Sequence, residues 1–144
     1  MKSRATTIVA VLLPPAVASA GFFLLLGHRR DYLGHFAAGY GGTLTLVALA
    51  LAAIPPTRFA KLAAWVVVPC TLLAIAAGTV TEATVFNIAK FDEVDYCNQN
   101  LGAVLAGLVG FVLVRDAKPP DADFRWAMLT GLLFLLIGGY FALT

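Results

Sequence analysis

Charge is what this chain has least of. Only 12% of its 144 residues are Asp, Glu, Lys or Arg, against 60% hydrophobic, where soluble domains carry about 25% charged residues. That deficit, with a mean hydropathy of +0.88, excludes an ordinary soluble domain and makes the chain an integral membrane protein. The net charge of +2 is too small, and its basic residues too scattered, for a nucleic-acid-binding protein. Two cysteines, Cys70 in mid-span and Cys97 near the mouth of a later span, differ in depth and are expected to remain free thiols packed among their neighbours. Long hydrophilic stretches, low-complexity tracts and internal repeats are also missing, which leaves no room for a separate soluble domain. The inner halves of the apolar runs carry almost no ionisable residues, which argues against a transporter or ion pathway.

What is present is a series of five apolar stretches, each near the spanning length of about 20 residues: Ala5 to Gly27, His35 to Ile54, Leu62 to Thr81, Asn98 to Val114 and Trp126 to Leu143. The expected fold is all-α, a single domain over residues 1–144 forming a compact bundle of five transmembrane helices. The first stretch, with Lys2, Arg4 and Ala18-Ser19-Ala20, imitates a secretory signal. Its apolar run continues through Leu26, long enough to cross, so a retained helix is expected, kinked at Pro14 and Pro15 with the freed backbone groups met by neighbouring helices. If the helices alternate, Lys2, Arg4, Arg58, Lys61, Arg115, Lys118 and Arg125 share one side, while Arg29, Arg30 and Lys90 lie opposite. The positive-inside bias then puts the N-terminus in the cytoplasm and the C-terminus outside. The loop Arg115 to Asp123 reads as a solvated turn, and the fifth span, rich in Leu and Phe with Trp126 and Tyr140 near its ends, as a lipid-facing helix.

Alternation also gathers the polar residues. The loop after the first span offers His28, Arg29, Arg30, Asp31 and His35; the loop after the third offers Glu82, Asn87, Lys90, Asp92, Glu93, Asp95, Asn98, Gln99 and Asn100. Both face outward on the orientation above. Asp31 and His35 are four residues apart, so on a helix the carboxylate can contact the imidazole and raise its basicity, as suits a general base or a metal ligand. Alternatively Asp31 caps the second helix. Asp95 and Gln99 repeat the spacing at the start of the fourth helix, where Asp95 is again either a site residue or a cap. Asp92, Glu93 and Asp95 are more acids than one cap needs, and crowded carboxylates repel one another unless a cation intervenes. A divalent cation on Glu82, Asp92, Asp95 and His35, or a cationic partner such as Arg29 or Arg30, would resolve that. No tight spacing such as His-Glu-x-x-His supports the metal. The candidate catalytic residues are therefore Asp31, His35, Glu82 and Asp95. Arg29, Arg30, Lys90 and Gln99 are candidates for binding substrate, with the arginines equally suited to reach lipid phosphates. Gly102, Ala106 and Gly110 form a small-residue stripe that permits tight helix contact.

The order Asp31-x-x-x-His35, then Glu82, then Asp95-x-x-x-Gln99-x-x-Gly102-Ala103 resembles the VanZ-like family of small bacterial membrane proteins, over roughly His28 to Gly107. Gln99 stands where the family usually has Asn, and Val85 where a glutamine follows the Glu. The resemblance implies a cell-envelope protein of the inner (plasma) membrane, in a family whose founding member confers resistance to a glycopeptide antibiotic. The function expected is an outward site that binds or processes a lipid-linked or amphipathic envelope component. The alternative is a small non-enzymatic subunit that docks a partner membrane protein through its outer loops and the Gly102-Ala106-Gly110 stripe.

Overall fold

The computed structural model describes residues 4–25, 27, 29–86, 92–117 and 124–143, and within them the chain is helix joined by short turns. The elements are α1 (Arg4–Leu25), α2 (Arg30–Ala53), a 3-10 turn (Pro56–Arg58), α3 (Phe59–Thr81), a π-helical turn (Glu82–Phe86), α4 (Glu93–Asp116) and α5 (Arg125–Leu143). Five of these helices are long and apolar enough to cross a membrane. Most of their large apolar side chains, Leu24, Trp65, Leu72 and Leu136 among them, point outward as a lipid-facing belt must. His28, Asn87, Lys90, Lys118 and the rest of the loop up to Asp123 lie outside the described residues.

The bundle is built around α2. Its buried residues run from Gly34 to Leu51 on nearly every face, and it packs most extensively on α5 and α4, less on α3 and least on α1. Glycine makes this possible. A side-chain carbon on Gly34 or Gly41 would run into the backbone of α5, and one on Gly138 or Gly131 into the backbone of α2. Helix α5 is therefore lipid-facing on one side only. Its other side, Ala127, Gly131 and Gly138, is buried against the central helix, a face that the surrounding Leu and Phe conceal in the sequence.

Helices α2 and α4 both begin five residues before the expected apolar spans, and α3 three residues before. Hydropathy finds where a chain is apolar, whereas helical backbone continues into the polar boundary as long as its first N–H groups are capped or solvated. The ends have local causes. Gly27 (φ 64°) takes the left-handed conformation just past α1. Pro55 and Pro56 close α2 and open the next turn. Pro14 and Pro15 sit within α1, and Pro15 has no N–H for the carbonyl of Val11. The hydroxyl of Tyr40, wholly buried on α2, donates to that carbonyl at 2.5 Å, so a neighbouring helix meets the bond that proline removes.

Candidate functional site

Three chain segments bring one ionisable residue each to the same end of the bundle. His35 lies in the second turn of α2 at 3% exposure, and Glu82 at 1% exposure begins the π-helical turn that ends α3. Asp95 lies in the first turn of α4. The imidazole stands between the two carboxylates, with Nδ1 3.8 Å from Glu82 Oε2 and Nε2 3.5 Å from Asp95 Oδ2. These are ion-pair separations rather than tight hydrogen bonds. Glu82 Oε2 and Asp95 Oδ1 have no hydrogen-bond partner among the described residues, and neither do Asn98 Nδ2 and Asn100 Oδ1 further along α4. Buried polar atoms are nearly always satisfied in folded proteins; here two acceptor oxygens, one on Glu82 and one on Asp95, stay open on the carboxylates that flank the imidazole.

Local structure explains why these side chains meet. The π-helical turn begins at Glu82, whose backbone N–H reaches the carbonyls of both Gly78 and Thr79. Such single-turn widenings recur at functional sites because they re-aim one side chain. Asp92, three residues before Asp95, is the N-cap of α4: its backbone is extended and its side chain accepts from the N–H groups of Val94 at 2.8 Å and Asp95 at 3.2 Å. The cap thus falls to Asp92, not to Asp95, and frees Asp95 to face His35. Exposed Asp92 lies outside the buried cluster.

Beneath the acids, Gly78 on α3 is one turn before Glu82, and Gln99 on α4 is one turn after Asp95. A side-chain carbon on Gly78 would collide with the Gln99 carboxamide, and one on Gly39 with the Gln99 backbone carbonyl. Two glycines therefore make room for Gln99 as the floor of the site. Neither glycine was marked as a site residue by composition. The legible signal is their position, one turn from Glu82 in one case and one turn from His35 in the other.

Asp31 is arranged differently from the sequence expectation. Its carboxylate takes both arms of Arg29, at 3.1 and 2.5 Å, instead of orienting His35, and the hydrogen bond to it holds the Arg29 guanidinium above its usual pKa. That guanidinium also lies over the Tyr32 ring at 3.8 Å. The reach of two residues within an exposed turn wins over the reach of four along the helix. Arg29 and exposed Arg30 line a shallow depression with Phe22, Phe23 and Leu33 at the same end of the bundle. Lys90 lies outside the described residues.

Among the described residues no three His, Cys, Asp or Glu side chains are grouped to hold a metal ion. Cys70 and Cys97 are free thiols; Cys70 is half-buried, whereas Cys97 is exposed rather than packed. The Gly102-Ala106-Gly110 stripe is occupied inside the chain: Gly102 meets the backbone of α2 at Phe36 and Tyr40, Ala106 is fully buried, and Gly110 fits against Val47 and Val67.

The chemistry available is that of an imidazole flanked by two acids and shielded from water, with the Gln99 amide below. An imidazole with a carboxylate at each nitrogen can take a proton on one side and deliver one on the other. Comparison with protein-family models, with curated proteins and with solved structures gave no match to this chain.

Proposed function

We propose that this chain is a VanZ-like cell-envelope protein of the plasma membrane, oriented with its N-terminus in the cytoplasm, and that its His35 site binds or processes a lipid-linked or amphipathic envelope component. The observation that carries this reading is the imidazole of His35 held between the carboxylates of buried Glu82 and half-buried Asp95, both with open acceptor oxygens. Three ionisable groups brought together from α2, α3 and α4 in an otherwise apolar bundle are expensive to desolvate and are placed so mainly for function. The depression at the same end of the bundle suits an amphiphile: exposed Arg30, beside Arg29 with its Asp31 partner, offers charge for a headgroup next to the apolar wall of Phe22, Phe23 and Leu33. His35 is assigned acid–base work or direct contact with the headgroup, Glu82 and Asp95 the orientation and charge balance of the imidazole, and Gln99 a polar contact at the floor.

The docking-subunit reading loses one of its two supports, because the small-residue stripe is already packed against α2 and α3. The test is the lipid content of protein purified in mild detergent from a bacterial host. The wild type retains a polar-headed envelope lipid, detected by mass spectrometry, and His35→Ala reduces its retention at least tenfold. Equal lipid profiles in the two proteins would contradict the proposal.

A further inference from the structure

We infer that the His35 cluster takes up one exchangeable positive charge from solution, a proton or a small monovalent cation, at the open oxygens of Glu82 and Asp95. Two carboxylates face one imidazole, which supplies at most a single positive charge. Every other described charged group around them is engaged elsewhere or turned to the surface. On α2, Arg29 is held by Asp31 through two bonds, and Arg30 is exposed. On α4, Asp92 caps the helix and Glu93 is exposed. The outer half of α1 (residues 16–25) contains no ionisable residue, and on α5 Tyr140 is exposed. Tyr40, below His35 on α2, gives its hydroxyl to the Val11 carbonyl.

With both carboxyl groups ionised the described cluster would be at least one positive charge short, in surroundings where an uncompensated charge is strongly disfavoured. The deficit coincides with atoms that lack partners: Glu82 Oε2, on a side chain 99% buried, and Asp95 Oδ1. A proton turns either oxygen into a donor; a small cation is met by the same oxygens. The donor set suits a single charge better than a divalent metal, since no further carboxylate, thiolate or imidazole joins these three groups among the described residues. Asp95, nearer the surface than Glu82, is the side from which the charge arrives.

This inference shares its residues with the proposed function but not its substrate, so it is tested on detergent-purified protein with no envelope lipid added. Melting is followed in NaCl against choline chloride, and infrared difference spectra are recorded across a pH step for the carbonyl band of a protonated carboxylic acid. A cation site gives a saturable rise in melting temperature with sodium in the wild type, lost in Asp95→Asn and Glu82→Gln. A proton site gives no sodium response and a protonated-carboxyl band in the wild type at neutral pH, lost in one of the two variants. The wild-type readings stand even if Glu82→Gln does not fold. Absence of both signals in the wild type, or signals unchanged in both variants, overturns the inference, whereas lipid retention reports on the proposed function separately.

Discussion

At the scale of single residues, the polar groups of this bundle are assigned by backbone geometry as much as by side-chain type. Tyr40 shows it most plainly: its hydroxyl replaces the N–H that Pro15 lacks. Tyr40→Phe is expected to lower stability by about 1 kcal/mol, measured by unfolding in detergent. In a Pro15→Ala background, where residue 15 regains an N–H for Val11, the same substitution should have a smaller effect; an equal effect in both backgrounds would show that the hydroxyl does something else. Asp92 and Asp95 make the complementary case. Asp92→Ala should cost about 1 kcal/mol as a lost cap and leave lipid retention intact, while Asp95→Asn should reduce lipid retention with little change in melting. Sequence alone placed both acids at the start of α4 but could not divide these roles. The division depends on which residue adopts the extended backbone of a cap, and acids three apart look alike until that is known.

At the scale of helices, glycine sets the distances. Helix α2 is approached by α5 across Gly34, Gly41, Gly131 and Gly138 and by α4 across Gly39 and Gly102, so the helix carrying His35 has little freedom to shift. Gly102→Ala would drive a methyl group into the Phe36 carbonyl and should destabilise the protein by more than about 2 kcal/mol. Gly139→Ala meets nothing within 4 Å and should be neutral or stabilising by up to about 1 kcal/mol. Thermal melts of the two variants side by side check the contrast, and similar melting temperatures would contradict the packing described. The stripe on α4 was legible because its small residues recur every four positions. The buried face of α5 was not, because Gly131 and Gly138 are seven apart within a run of Leu, Ile and Phe, and hydropathy does not distinguish lipid from a glycine-lined helix contact.

At the scale of the whole molecule, five apolar runs were enough to read the all-α bundle, and alternation was enough to gather Arg29, His35, Glu82 and Asp95 at one end. What alternation could not give was depth: whether Glu82 is washed by water or enclosed depends on the π-helical turn and on the close approach of α2 and α4, neither of which leaves a pattern in hydropathy. The proposed orientation is open to direct measurement. In a Cys70→Ala/Cys97→Ala background, Glu93→Cys should react with a membrane-impermeant maleimide on intact cells, and Thr57→Cys only after the cells are opened; the reverse pattern would place the His35 end in the cytoplasm.

The central claim is that the buried imidazole and its two acids exist for function and not to hold the helices together. Exchanging buried charges for neutral groups of the same shape is often neutral or stabilising, and working sites commonly trade stability for activity. The most direct test is therefore the double variant Glu82→Gln/Asp95→Asn, with melting temperature and envelope-lipid retention measured on one preparation. A melting temperature equal to or above the wild type together with loss of the retained lipid is the predicted result. A fall in melting temperature with lipid retention unchanged would contradict the account and make the cluster a structural link between α2, α3 and α4.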